Sequence, residues 1–294
     1  MKKLTAAVNF ILIAFLLVAC SSSGSPYEPT QSAVDSPEYI KCNFYNEKEF
    51  KRSVLDAKPT SPSGIKIKGG IVPHHLLACS LISEFFSSLS ASKPDYVVVI
   101  APNHNGIGKK EIITGSRGWA TPFGVLSGDS ELSKSLLDGF NSEENYQVLE
   151  NDHSISGLVP YIKYYIPDSR IIPIMLKGSL SFEDCKDLAQ KIQLTMEGKK
   201  YVIVASIDFS HYLTLEKADK MDEITLKAIQ TRDFESIRNM GNDNLDSPPT
   251  LLTFLKTMQQ FGADKFNVTA HSNSDRIGGV KTDSTTSYFT MFFY

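Results

Sequence analysis

The sequence predicts an α/β fold, with a mixed, mainly parallel central sheet and helices on both of its faces. Two continuous apolar runs, YVVVI at residues 96–100 and YVIVA at 201–205, have the composition of strands covered on both sides. Segments with apolar residues at helical spacing lie between such runs. The alternation continues from about residue 38 to the end, with no internal repeat and no second linker, so one domain is expected over residues 38–294.

Taken in order, residues 65–72 and 95–101 read as strands. Between them, residues 75–90 carry Leu76, Leu77, Leu81, Ile82, Phe85 and Phe86 at helical spacing, which completes a β-α-β unit. Residues 171–176 and 201–207 are further strands, separated by a helix over 181–196. Pro173 counts against the first of these, because proline removes a donor from the hydrogen-bond ladder. Helices follow over 216–231 and 248–261. In the second, Leu251, Leu252, Leu255 and Met258 form the apolar stripe, and Pro248 and Pro249 suit its first turn. Residues 266–270 and 287–293 close the chain as strands.

Composition agrees with a sizeable core. Of 294 residues, 41% are hydrophobic and 21% charged, which excludes disorder, coiled coil and collagen. Thirty basic residues against 33 acidic ones, with no basic run in the body, argue against a nucleic-acid partner, since phosphate binding needs a concentrated positive face. Cys20, Cys42, Cys79 and Cys185 stand singly, so neither a disulfide scaffold nor a structural zinc finger is expected. Cys79, amid apolar neighbours, reads as core.

The first 19 residues read as a leader rather than as fold. Lys2 and Lys3 precede an apolar stretch from Ala6 to Val18 that is short for a membrane span of ~20 residues. The stretch ends in Leu17-Val18-Ala19-Cys20, similar to a bacterial lipobox, in which cleavage leaves the cysteine as the lipid-carrying N-terminus. Residues 20–37, rich in Ser, Pro and Gly, then form a flexible tether. The expectation is a protein of the bacterial cell envelope, attached to a membrane through a lipid on Cys20.

Histidine placement carries the chemistry. Three strands end in a histidine: His74 after GGIVP, His104 after VVVIAPN, and His211 after YVIVASIDFS. In open α/β sheets the carboxyl ends of strands line the ligand crevice, so these imidazoles are expected to converge there. Imidazole suits first-row transition metals, and two histidines with one carboxylate leave positions open for substrate. Asp208 lies three residues before His211 and reads as a pocket residue, a helix cap or the partner that orients that histidine. Asp246, in DNLDSPP, reads as a metal ligand or as a cap for the following helix. His153 in NDHSISG is a pocket residue or a helix-start residue, with Asp152 or Ser154 as its cap, and Asn103 adjoins the same strand end as His104. His271 reads as a strand-end or loop residue. The absence of GxSxG, of GxGxxG after a strand and of a Walker lysine leaves hydrolase and nucleotide chemistry without support.

In order along the chain, GGIVPHH, VVVIAPNHNG, ENDHSISGLVPYI, IDFSHY and SPPTLLTF resemble the Memo family, which includes the bacterial AmmeMemoRadiSam system protein B group. The resemblance runs from about Cys42 to the C-terminus. It implies a fold similar to class III extradiol dioxygenases, non-haem iron enzymes that cleave catechol rings. It also implies that His74 and His104 face a metal and that His211 is the further pocket histidine, the acid/base in those dioxygenases. Memo proteins of animals carry a cysteine shortly before the proline of the late helix. Here GNDNLDSPPT has none, and Leu245 or Asp246 falls near that place.

Two functions follow as expectations. One is a metal-dependent oxidoreductase of extradiol type, with His74, His104 and Asp246 around a divalent transition metal (iron first, copper or zinc next) and His211 with Asp208 moving a proton. The other is a non-catalytic binding or adaptor lipoprotein that uses the same cleft for a metal, a small ligand or a peptide.

Overall fold

The computed structural model describes residues 38–58 and 65–294. The leader, Cys20 and the tether lie outside the described residues. The strands are β1 (Ile40–Lys41), β2 (Gly69–Val72), β3 (Tyr96–Pro102), β4 (Ile112–Thr114), β5 (Trp119–Thr121), β6 (Gly124–Gly128) and β7 (Ser142–Glu144). They continue with β8 (Arg170–Leu176), β9 (Tyr201–Ser206), β10 (Phe266–Asn273) and β11 (Ser287–Phe293). The first helices are α1 (Glu47–Asp56), α2 (Cys79–Ser90), α3 (Ser130–Leu137), α4 (Tyr146–Asn151), α5 (His153–Ser156) and α6 (Val159–Tyr165). After them come α7 (Phe182–Met196), α8 (Leu215–Thr231), α9 (Phe234–Arg238), α10 (Pro248–Gln260) and α11 (Ser274–Gly278).

The centre of the sheet is parallel, in the order β8-β3-β9-β2. Strand β11 then adds antiparallel to β2, and β10 antiparallel to β11. On the other side β8 pairs in parallel with β6 and antiparallel with β4. The sheet is therefore mixed and mostly parallel, as its apolar runs predict.

Burial on both faces explains those runs. Along β3, Val98 and Ile100 enter one core with residues of α7 and α10, while Val97, Val99 and Ala101 enter a second core with residues of α2 and α6. A strand flanked by two cores has no solvent face on which to place polar side chains. Close approach also selects glycine in β2: a Cβ on Gly70 would lie 2.6 Å from the Met291 carbonyl oxygen and 2.6 Å from the Phe85 ring.

Pro173 sits inside β8 after all. Arg170 and Ile171 pair with β6, and residues 174–176 pair with β4, so the proline falls in the gap between these two neighbours. Its carbonyl is satisfied by the Thr114 hydroxyl at 2.7 Å. Three other expectations need adjustment. The first strand begins only at Gly69, and residues 76–78 form a 3₁₀ turn before α2. His271 lies within β10, which extends to Asn273 rather than ending at residue 270. Most consequentially, β2 and β3 are not neighbours, because β9 runs between them. The end of β9 therefore stands between the two strand ends that carry His74 and His104.

Cys42, Cys79 and Cys185 are free thiols. Cys79 and Cys185 are buried core residues, and burial pushes the Cys185 thiol up to about 11. No helix among the described residues is long and apolar enough to cross a membrane.

Candidate metal centre

Val72 is in register with Ser206, so the chain leaving β2 passes directly beside the end of β9. There the His74 ring meets Ser206: His74 Nδ1 and Ser206 Oγ are 2.9 Å apart. The Ser206 hydroxyl donates its only hydrogen to the Ser154 carbonyl at 2.6 Å, so it must accept from His74 Nδ1–H. This fixes the tautomer and leaves the Nε2 lone pair of a neutral His74 turned inward. His74 is almost completely buried, and its backbone N–H donates to Asp208 Oδ1 at 3.1 Å.

His104 is set in the same way from the end of β3. Asp152 accepts from His104 Nδ1 at 2.9 Å and from the His104 backbone N–H at 3.0 Å. Asp152 is also the N-cap of α5, accepting from the Ser154 N–H at 3.0 Å. One buried carboxylate thus starts a helix and orients an imidazole.

Both Nε2 atoms converge on Asp246. Asp246 Oδ2 lies 3.1 Å from His74 Nε2 and 3.8 Å from His104 Nε2, and Asp208 Oδ2 lies 3.7 Å from His74 Nε2. Asp246 is not the helix cap, since Ser247 caps α10 by accepting from the Thr250 N–H. Leu245 is fully buried in the core and bridges to Phe209, which leaves Asp246 as the residue of that turn that faces the histidines. His153, the first residue of α5, stacks on His104 with ring centroids 4.5 Å apart and planes at 10°. One nitrogen from each of His74, His104 and His153 lies within 4.8 Å of the others, and this group can hold a metal ion. Donors around one ion, each at ~2.1 Å, stand roughly 3–3.5 Å apart.

Charge is balanced within the cluster. Burial opposes protonation of His74, but the Asp208 and Asp246 carboxylates outweigh it and raise its pKa. Burial likewise opposes protonation of His104, yet Asp152 and Asp246 push it up to about 10. Burial raises the carboxyls in turn, and the histidines overcome it: Asp246 is held well below the usual carboxylate range and Asp152 at about 2. Burial and the neighbouring His74 and His104 lower His153 to about 4, so its ring is neutral near pH 7. Within the cluster, two buried atoms have no hydrogen-bond partner among the described residues, Asp246 Oδ1 and His211 Nδ1. Burial lowers His211 despite the nearby Asp246 and Asp208, so it too is neutral.

Asp208 engages His74, whereas His211 Nδ1 is left unpartnered, so the spacing of these two residues in sequence does not translate into a hydrogen bond through that nitrogen. Asn103 is buried at the end of β3 and opens into a neighbouring cavity. His271 is elsewhere, 2.8 Å from Asp222 and stacked on Phe289. Sequence reasoning missed Ser206 as a second support of the cluster and named Asp152 only as a cap. It also missed Tyr288, a buried residue whose hydroxyl lies 2.6 Å from His75 Nδ1. Only the proximity of Ser206 to Asp208, and of Asp152 to His153, signalled two of these in the sequence.

The protein is thus a mixed α/β sheet with imidazoles and carboxylates gathered at the carboxyl edge of its parallel strands, a cluster that could hold a metal ion. The chain belongs to the Memo-like protein family, whose sequence pattern it matches over residues 43–292. Among similar proteins, a MEMO1 family protein of Pyrobaculum aerophilum is 28% identical over 244 residues, covering 77% of this chain and 83% of that protein. A MEMO1 family protein of Desulfurococcus amylolyticus is 30% identical over 232 residues, 74% of this chain and 81% of that one. A crystal structure of an uncharacterized Escherichia coli K12 protein has the same fold, with a TM-score of 0.54 at 12% identity, covering 77% of this chain and 99% of that one.

Proposed function

We propose that this protein is a metal-dependent oxidoreductase of the extradiol-dioxygenase type, with a divalent transition metal held by His74, His104 and Asp246. One observation carries the reading. Two imidazoles whose Nδ1 atoms are committed as donors aim Nε2 at a single carboxylate oxygen. Lone pairs facing a carboxylate repel unless a cation lies between them, so either protons or a metal must occupy that space. The unpartnered Asp246 Oδ1 fits the same donor set. Two histidines and one carboxylate suit iron first, with copper and zinc as alternatives. Bound there, such an ion supplies Lewis-acid and redox chemistry.

The chain's own residues have separable tasks. Ser206 and Asp152 fix the tautomers of His74 and His104. Neutral His211, half-buried beside Asp246 and Asp208, has an unpartnered Nδ1 to take or release a substrate proton. Asp208 accepts from the His74 backbone N–H and adds a second carboxylate 3.7 Å from His74 Nε2. His153 packs on His104 and offers a further nitrogen.

The proposal includes export: Lys2, Lys3, the apolar stretch and Leu17-Val18-Ala19-Cys20 support a lipoprotein anchored through Cys20 in the cell envelope. The test is anaerobic iron loading followed by oxygen uptake with a panel of catechols. Iron binding with catechol-dependent uptake that disappears in His211→Ala supports the enzyme. Metal binding without uptake favours the adaptor function instead.

A further inference from the structure

A cavity of about 290 Å³ opens beside the histidine cluster, between the loop after β3 and helix α4. Five carboxamides line it: Asn103, Asn105, Asn145, Gln147 and Asn151. Ile107 and Val148 supply apolar wall, Asp152 closes the side towards His104, and among the described residues no lysine or arginine lines the cavity. We propose that this cavity binds a neutral, polyhydroxylated small molecule of about monosaccharide size.

The buried Asn103 gives the strongest indication. It is 5% exposed, and its Nδ2 donates to the Ile107 carbonyl at 2.7 Å, which identifies Oδ1 as the acceptor. That oxygen has no partner among the described residues. An unsatisfied buried acceptor keeps its full desolvation penalty, so the site calls for a donor from a ligand.

The other amides are arranged to complement it. Asn145 spends its oxygen capping α4 at the Val148 N–H, 3.2 Å away, and has its NH₂ group left to donate. Asn151 is held by its bond to the Gln147 carbonyl at 2.9 Å. The side chains of Asn105 and Gln147 are exposed and each offers one donor group and one acceptor. The loop opposite is closed by the Gly106 N–H donating to the Asn103 carbonyl at 3.1 Å, with Gly106 at φ 60°. Both walls are therefore preorganised.

Charge and size select the ligand class. Without a lining cation, and with the Asp152 carboxylate in the wall, anions are disfavoured. Asp152 is already matched by His104 and the Ser154 N–H, so it does not demand a cation. Hydroxyls, which both donate and accept, match a ring of carboxamides. The volume equals that of about ten water molecules at ~30 Å³ each, close to the dozen heavy atoms of a hexose.

The inference does not depend on a metal, and the test separates the two. Glucose, myo-inositol and N-acetylglucosamine are titrated calorimetrically into the full chain without added metal, with glucose 6-phosphate as the anionic comparison. The same titrations are run on His74→Ala, which disables the metal site and leaves the cavity lining intact. At least one neutral probe should bind with one-to-one stoichiometry to both proteins, and glucose 6-phosphate about tenfold more weakly or worse. Asn103→Leu should weaken binding about tenfold, the loss of one buried hydrogen bond. The double variant Asn105→Ala/Gln147→Ala, changed only at exposed side chains, should also bind several-fold more weakly and keeps the test valid if Asn103→Leu misfolds. Absence of binding by all three neutral probes, equal affinity for the phosphate ester, or undiminished binding in the folded variants would overturn the proposal.

Discussion

Asp208 and Asp246 clamp one another across 38 residues of sequence: the Asp208 N–H donates to Asp246 Oδ2 at 3.2 Å, and the Asp246 N–H donates to the Asp208 carbonyl at 3.1 Å. The clamp continues into the Phe209–Leu245 bridge, with both side chains fully buried in the core. The turn before α10 is thereby fixed to the end of β9, and the Asp246 carboxylate is held against His74 and His104 by backbone rather than by a flexible loop.

The clamp separates stability from ligation. Leu245→Ala should destabilise the fold by about 2–5 kcal/mol, as large-to-small core changes do, measured by chemical denaturation. Asp246→Asn keeps the shape but removes the charge between the imidazoles. It should cut bound iron, copper or zinc sharply, as should His74→Ala and His104→Ala, while circular dichroism stays native. Glu183→Gln, exposed in the first turn of α7 and outside both side-chain groups that could hold an ion, should leave metal stoichiometry after dialysis unchanged. Equal metal in all variants would remove Asp246 and both histidines from the ligand set.

Ser206 and Asp152 act through the histidines they orient. Ser206→Ala frees His74 to change tautomer, and Asp152→Asn weakens the hold on His104 Nδ1. Each should lower metal affinity by roughly 10–100-fold without abolishing it, the usual effect of losing an orienting partner. Competition with a chromogenic chelator measures this, and affinities unchanged within twofold would contradict the assigned orientations.

Without metal, protonated imidazoles neutralise the carboxylates. His104 is raised from the ordinary 6.5 to about 10 by Asp152 and Asp246 against the opposing effect of burial. A histidine with a raised folded-state pKa contributes stability that is fully present below about 6.5 and is lost as the pH rises through about 10. The metal-free protein should therefore lose stability between pH 7 and 10, measured by urea midpoints, and the metal-loaded protein should lose less. Metal binding near neutral pH must also displace protons. Calorimetry in two buffers of different ionisation enthalpy should show their release, and buffer-independent heats would refute protonated imidazoles in the metal-free cluster.

Export is tested independently of the fold. Cys20→Ser should abolish incorporation of a labelled fatty acid, because the thiol is the attachment point in a lipobox. Persistent label on the variant would end the lipoprotein reading.

The sequence alone determined the alternation of elements, the two-sided burial of residues 97–100 and 202–205, and the placement of histidines just past three strand ends. These are local properties: apolar periodicity records how many faces a strand buries, and a histidine next to a strand terminus stays at the sheet edge whatever the strand order. Strand order itself was not legible. Sequence reading treats β2, α2 and β3 as one unit, whereas β9, which begins at Tyr201, enters between the strands from far along the chain, bringing Ser206 and Asp208 to His74. Nor could sequence choose between Leu245 and Asp246, or tell a cap from a ligand. Tertiary structure decided which of the two faces the histidines and which residue caps the helix, because the core buries the leucine and Ser247 takes the capping bond, leaving the Asp246 carboxylate to face two imidazoles.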